Sequence, residues 1–204
     1  MNRLKKKPKN DYRHGDLRSA LMEAAIHSIQ NTGEVQFSLR DLANSAGVTH
    51  AAAYRHFSSK KAILLEIAKE GYSNLSNKFK KILENQADDI EGLGQAYVQF
   101  AVENPERFKI MFHPDIKLSE ESTSPESLGF ETFSHLLSAV ELNIKNGNFI
   151  QQDDKLIAMT AWASVHGLST LIVNDNLQKK MNIDSKKMAK IMTNNLMKGF
   201  LKRN

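Results

Sequence analysis

Residues 49–61 concentrate groups that bind rather than react. Thr49, Tyr54 and His56 carry hydroxyl or imidazole groups able to reach phosphate oxygens. His50 can donate to a guanine edge, and the methyl of Ala51 or Ala52 can touch a thymine methyl. With three consecutive alanines, Ala51 to Ala53, a helix backbone can come close to a duplex. Lys60 and Lys61 fall in the first turn of the helix that follows, where cations oppose the helix dipole. A bound phosphate reverses that sign, because amide N–H groups and lysines then act together.

These residues need a scaffold, and Ser38–Phe57 spells one: short helix, glycine turn, short helix. Ser38 and Asp41 stand as N-cap and N3 of a capping box. Ala43 lets two helices cross closely, and Gly47 can take the positive φ of a tight turn. Thr49 caps the second helix, which runs to about Phe57. This is the layout of a helix-turn-helix, whose second helix enters the major groove. Ahead of it, Leu17, Leu21, Ala24, Ala25 and Ile29 line one face of a helix that begins near Asp16 and ends at Asn31-Thr32-Gly33. Behind it, Ser58 or Ser59 caps a long helix to about Leu83.

Charge points the same way. The chain of 204 residues has a net charge of +5. Residues 1–60 hold 10 Lys/Arg and 5 Asp/Glu, whereas residues 61–204 hold 18 of each. The whole excess lies in the first third, which implies a polyanionic partner, either nucleic acid or an acidic membrane surface. Residues 1–13 read as a basic disordered arm that could follow a neighbouring backbone or minor groove.

The residues also carry a family likeness. His14-Gly15-Asp16-Leu17-Arg18, Ser38-Leu39-Arg40-Asp41-Leu42-Ala43, the run from Ala46 to Phe57, and Ser59-Lys60 resemble the DNA-binding domain of TetR-family transcriptional regulators. The resemblance implies an all-α homodimer with a three-helix DNA head in each subunit. It places Ser38, Thr49, Tyr54, His56 and Lys60 at phosphate-contacting positions and His50, Ala51 and Ala52 at groove-facing ones. Arg55 could serve either way. Ala53 departs from the pattern, which has a larger apolar residue or proline there.

Residues 61–204 read as a larger helical bundle. Helices are expected over about 89–103, 105–112 with Pro105 at N1, 125–146 closed by Gly147, 153–173 and 184–202, about nine in the whole chain. Residues 113–124 read as a polar loop. Pro, at 4, and Gly, at 10, are scarce for this length, as long helices require. Tyr97, Phe108, Met111 and Phe112 cluster around the Pro105 helix, with Phe133 on the next. Trp162 and His166, four residues apart, share a face of the penultimate helix. Each is equally at home in a plain hydrophobic core. Trp162-Ala163-Ser164-Val165-His166-Gly167-Leu168, with Asn104-Pro105-Glu106-Arg107-Phe108, is similar to the C-terminal domain of a TetR subgroup called the WHG domain. That resemblance implies ligand binding and dimerisation, with Tyr97, Phe108, Met111, Phe112, Phe133, Trp162 and His166 as the candidate ligand site. The expected organisation is therefore a basic arm at 1–13, a helix-turn-helix domain at 14–60, and a ligand-binding and dimerisation domain at 61–204.

Much is excluded or unsupported. The chain has no Cys, which removes disulfides, thiolate zinc sites and Cys nucleophiles. Gly92-Leu93-Gly94-Gln95-Ala96-Tyr97 lacks the third glycine of a dinucleotide loop, and no Walker loop, His-Glu-x-x-His or Gly-x-Ser-x-Gly occurs. His113 and Asp115 are too few to make a metal site. No signal peptide is read at the N-terminus, and no uncharged apolar run is expected to approach the ~18 residues of a membrane span. The expectation is a cytoplasmic, non-enzymatic, sequence-specific regulator. It needs no cofactor or metal, pairs with a second copy, binds a palindromic operator in double-stranded DNA, avoids membranes, and is released as a repressor by a small-molecule effector. The rivals are a carrier or enzyme using the aromatic pocket above a silent DNA head, and a membrane-surface protein using the basic arm.

Overall fold

In the computed structural model the described residues are 14–114, 116, 125–175 and 184–201. The basic arm, Asp115 and most of the expected loop at 113–124 lie outside them. Nine α-helices are present among the described residues: α1 (His14–Thr32), α2 (Leu39–Ser45), α3 (His50–His56), α4 (Lys60–Asn85), α5 (Ile90–Glu103), α6 (Pro105–Met111), α7 (Pro125–Lys145), α8 (Asp154–Asp175) and α9 (Ser185–Phe200). The chain divides into two compact units, and the division falls inside α4 between Ile67 and Ala68.

In the first unit α1 buries Leu17, Leu21, Ala25 and Ile29. Gly33, at φ +76°, closes it. Ser38 starts α2 with a complete capping box: its hydroxyl accepts from the Asp41 amide at 3.2 Å, and its own amide donates to the Asp41 carboxylate at 2.9 Å. Gly47, at φ +70°, makes the turn, and the Val48 amide bonds the Ala43 carbonyl across it. Ala43 and Ala53 are fully buried where the three helices meet. The small residue at position 53 is therefore packed, not loose.

The Ser38 hydroxyl and amide hold the Asp41 carboxyl below its ordinary value. A carboxyl depressed in the folded state contributes stability above about pH 4, and that contribution is lost as pH falls through the folded value. Ser38→Ala is expected to cost about 1 kcal/mol, the usual worth of a side-chain N-cap. Urea unfolding at neutral and acid pH checks this: the loss should shrink on the acid side, where Asp41 is already protonated.

In the second unit α5 is the hub, packing on α6, α7, α8 and α9. Asp89 caps it through the Gly92 amide at 2.7 Å. Asn143 on α7 donates to the Asp88 carbonyl at 2.9 Å and ties α7 to the start of α5. Ser76 on α4 and His135 on α7 meet at 3.0 Å. After α7, Gly147 turns the chain at φ +74°, and Phe149 pairs with Leu201 in an isolated bridge.

Helix α8 corrects one expectation. Residues 156–174 contain no Asp, Glu, Lys or Arg, and Asp154–Asn174 is long and apolar enough by composition to cross a membrane. The run escapes a simple reading because Thr160, Ser164 and Ser169 interrupt it. Their hydroxyls fold back onto carbonyls of their own helix at 2.8 Å, which hides their polarity. One face of α8 packs through Ile157, Ala158, Ala161, Val165 and Ile172. The other leaves Leu156, Met159 and Leu171 exposed, with Ala163 and Gly167 between them.

Candidate functional site

The reading surface is assembled around α3. Ala53 and Phe57, four residues apart, face the core, so Ala51, Tyr54 and Arg55 face outward, with Tyr54 56% exposed. Thr49 is exposed and caps α3 through the Ala52 amide at 3.2 Å. His50 and Ala52 are half-buried, and the His50 Nε2 lies 3.1 Å from Asn44 Oδ1. His56 is half-buried at the far end of the helix.

Two cations fix this geometry, and sequence reasoning missed both roles. Arg18 of α1 stacks its guanidinium 4.5 Å above the Phe57 ring, donates to the His56 carbonyl at 3.5 Å, and pairs with Glu66 at 3.0 Å. It therefore clamps the C-terminal end of α3. Lys60 donates to the Val35 carbonyl at 2.6 Å and lies over Phe37, so it fastens the α1–α2 connection to the start of α4. Of the two lysines expected at that helix start, Lys60 has its ammonium engaged within the head, while Lys61 is exposed. No spacing rule couples positions 18 and 57 or 35 and 60, which is why neither contact was legible.

The second unit holds a cavity of about 480 Å³. That falls within the ~300–1,000 Å³ of sites for drug-sized molecules. Tyr97, Phe112, Phe133 and Trp162 line it, joining side chains from α4, α5, α7, α8 and α9. Phe130, 68% exposed, and Met159, 49% exposed, also line it and mark where it opens to solvent. Phe108, Met111 and His166 are not among its walls but stand behind them. Phe108 meets Tyr97 edge-on at 6.0 Å. The Met111 carbonyl accepts from Tyr72, and its side chain fills the space a Cβ on Gly71 would need.

His166 organises the aromatic wall. Its ring lies 4.4 Å from Phe112 and 5.4 Å from Trp162, and its Nδ1 is 2.9 Å from the Tyr97 oxygen. Burial pushes the Tyr97 phenol far above its ordinary value, opposed by a hydrogen bond from Trp162. Burial also lowers the His166 imidazole from its ordinary value. Tyr97 and His166 share one hydrogen bond, donated by either partner according to the imidazole tautomer. Tyr72 is likewise raised by burial, to about 12.

The walls missed by sequence reasoning are chiefly Tyr72, Leu93, Gly94, Thr132, Thr193 and Met197. Gly94 shows why: its value lies in what it lacks. A Cβ there would stand 2.7 Å from Thr193 Cγ2 and 3.3 Å from Val165 Cγ1, so glycine lets α5 approach both α8 and α9.

Known proteins resemble both units. Residues 21–67 match the family model of bacterial regulatory proteins of the tetR family, and residues 90–196 match that of the tetracyclin repressor-like C-terminal domain. The chain belongs to the TetR family. It is a DNA-binding transcriptional regulator, in a family whose members bind DNA operators and small-molecule effectors and act as dimers. The regulator is 24% identical over 159 residues to the HTH-type transcriptional repressor KstR2 of Rhodococcus jostii, covering 72% of this chain and 78% of that one. It is 26% identical over 160 residues to the nucleoid occlusion factor SlmA of Vibrio vulnificus, covering 74% and 80%. Its fold matches the ketosteroid transcriptional regulator KstR2 of Mycobacterium tuberculosis with a TM-score of 0.74 at 16% identity, covering 92% of this chain and 96% of that one.

Proposed function

We propose that the regulator is a cytoplasmic, non-enzymatic repressor that binds a palindromic operator as a homodimer and leaves it when a small molecule fills the cavity. One observation carries this reading: a single chain combines an outward stripe of Ala51, Tyr54 and Arg55 on a short helix with a largely apolar cavity whose lining has no charged side chain. Thr49, Tyr54, Arg55 and Lys61 serve the phosphates, and His50, Ala51 and Ala52 face the bases. Ser38, His56 and Lys60 stand at further phosphate-contacting positions; Ser38 is exposed and also caps α2, and the Lys60 ammonium is shared with the Val35 carbonyl. The exposed face of α8, with Leu156, Met159, Ala163, Gly167 and Leu171, supplies an apolar surface for pairing with a second copy. Ile191 on α9 is exposed as well. Effector control needs only differential affinity: the ligand must bind the state that does not fit the operator more tightly.

Binding to a selected duplex and to scrambled duplexes tests the reading. Tyr54→Ala is expected to weaken all duplexes alike. His50→Ala is expected to erase about 1–3 kcal/mol of discrimination at one base position. Absence of duplex binding at low salt would sink the proposal, and ligand binding without duplex binding would make the protein a carrier instead.

A further inference from the structure

A histidine reads a base well only if its ring is held in place, and the neighbours of His50 along α3 are poorly suited to hold it. His50 is the first residue of that helix. Ala51, Ala52 and Ala53 after it offer methyl groups alone. The Thr49 hydroxyl before it is taken by the Ala52 amide at 3.2 Å. An imidazole free to turn about its side-chain bonds must be frozen when the duplex arrives, and that ordering costs affinity.

The brace comes from α2. The His50 Nε2 lies 3.1 Å from the Asn44 Oδ1, six residues back and across the Gly47 turn. Asn44 itself stands on a fixed base. Its backbone carbonyl accepts the Gly47 amide at 3.1 Å, and Leu42 and Ala43 beside it are buried. The start of the same helix is fixed by the Ser38–Asp41 capping box. A carboxamide also suits the task chemically. It carries an acceptor oxygen and N–H donors on one flat group, so it can serve either tautomer of the ring. With one ring nitrogen engaged by Asn44, the other is left for a base edge, in one orientation instead of several.

Resting on the reading of His50 as a base-facing residue, we propose that Asn44 is a positioning residue for sequence recognition: its side chain contacts no base and sets the His50 ring before the duplex binds. The effect falls on discrimination and not on affinity in general. A matched base pair benefits from a ring already in place, whereas a mismatched pair does not, and specificity is the difference between the two.

The test uses the intact protein and a duplex that it selects from a random pool, with each half-site position then changed to the other three bases. Asn44→Ala is expected to reduce discrimination about three- to tenfold at one position, the same one that His50→Ala flattens. Its affinity for scrambled duplexes should not change. In the double variant Asn44→Ala should add nothing to His50→Ala, because a residue that acts through the ring is silent once the ring is gone. Asn44 is exposed, so thermal unfolding of the variant should match that of the unaltered protein. If alanine disturbs the fold, Asn44→Ser, whose side chain is one bond shorter, answers the same question.

Loss of discrimination at a different position would mean that Asn44 reads a base itself and would overturn the proposal. An equal loss on all duplexes, the mark of a phosphate contact or of a purely structural residue, would overturn it too. So would full discrimination in Asn44→Ala where His50→Ala has lost it. If His50→Ala leaves every position intact, the base-facing reading of His50 fails and the proposal falls with it. Which variant is silent tells the two failures apart.

Discussion

Raising salt from about 50 to about 200 mM is expected to weaken duplex binding by about three orders of magnitude. Each phosphate neutralised by Lys or Arg releases counterions and adds about −0.9 to the slope of log affinity against log salt. Arg40, Arg55 and Lys61 are exposed on each head. Lys60 is left out, because its ammonium is bonded to the Val35 carbonyl. Three cations per head in a homodimer give a slope of about −5, and any contribution from the basic residues 3–9 steepens it. Arg55→Ala or Lys61→Ala should each flatten the slope by about 2, one phosphate per subunit. Fluorescence anisotropy across a salt series measures it. A slope shallower than about −2 would mean that the head does not engage the backbone as a pair.

Phe57→Ala is expected to destabilise the DNA head by about 3–5 kcal/mol, the range for truncating a buried phenylalanine. Phe57 is 2% exposed and ends α3. Its ring also carries the Arg18 guanidinium, which holds the His56 carbonyl. Truncation therefore opens a cavity and removes the platform of the clamp on the reading helix. Against a typical domain stability of about 5–15 kcal/mol, this is enough to depopulate the binding-competent head. Phe57→Leu keeps most of the volume and is expected to cost less, about 1–2 kcal/mol. Urea unfolding followed by circular dichroism, with duplex affinity in parallel, gives both numbers. A loss below 1 kcal/mol for the alanine variant would show that the ring is not part of the core.

The local signals in the sequence translated well because each has its own physics. Ser38 with Asp41, Thr49, Asp89 and Pro105 mark helix starts through bonds or constraints within a few residues, and Gly33, Gly47 and Gly147 mark stops through positive φ. Periodicity found the buried face of α1 and the pairing of Trp162 with His166. What it could not find were encounters between distant segments. Position makes Lys60 a candidate phosphate ligand but does not reveal the Val35 carbonyl, 25 residues back, that its ammonium bonds. Tyr72, Thr132 and Thr193 come from three different helices to one cavity. Phe108 and Met111 belong to the same apolar cluster but turn to its far side. The uncharged length of α8 went unnoticed because its hydroxyls look polar on paper and are spent on its own backbone.

Gly94 bears on how such a protein can change under selection. Most of the cavity wall is apolar side chain, and apolar residues of similar size exchange in packed interiors at modest cost. A lineage can therefore reshape the void by steps at positions such as Leu93, Leu136 or Met197 and drift toward a new chemical signal. Position 94 offers no such step, because even alanine would press on Thr193 and Val165. The crossing of α5 with α8 and α9 is thus a fixed pivot within a mutable wall. Novelty in what the protein senses is channelled into the lining, while the framework that frames the void is held by an atom that must stay missing.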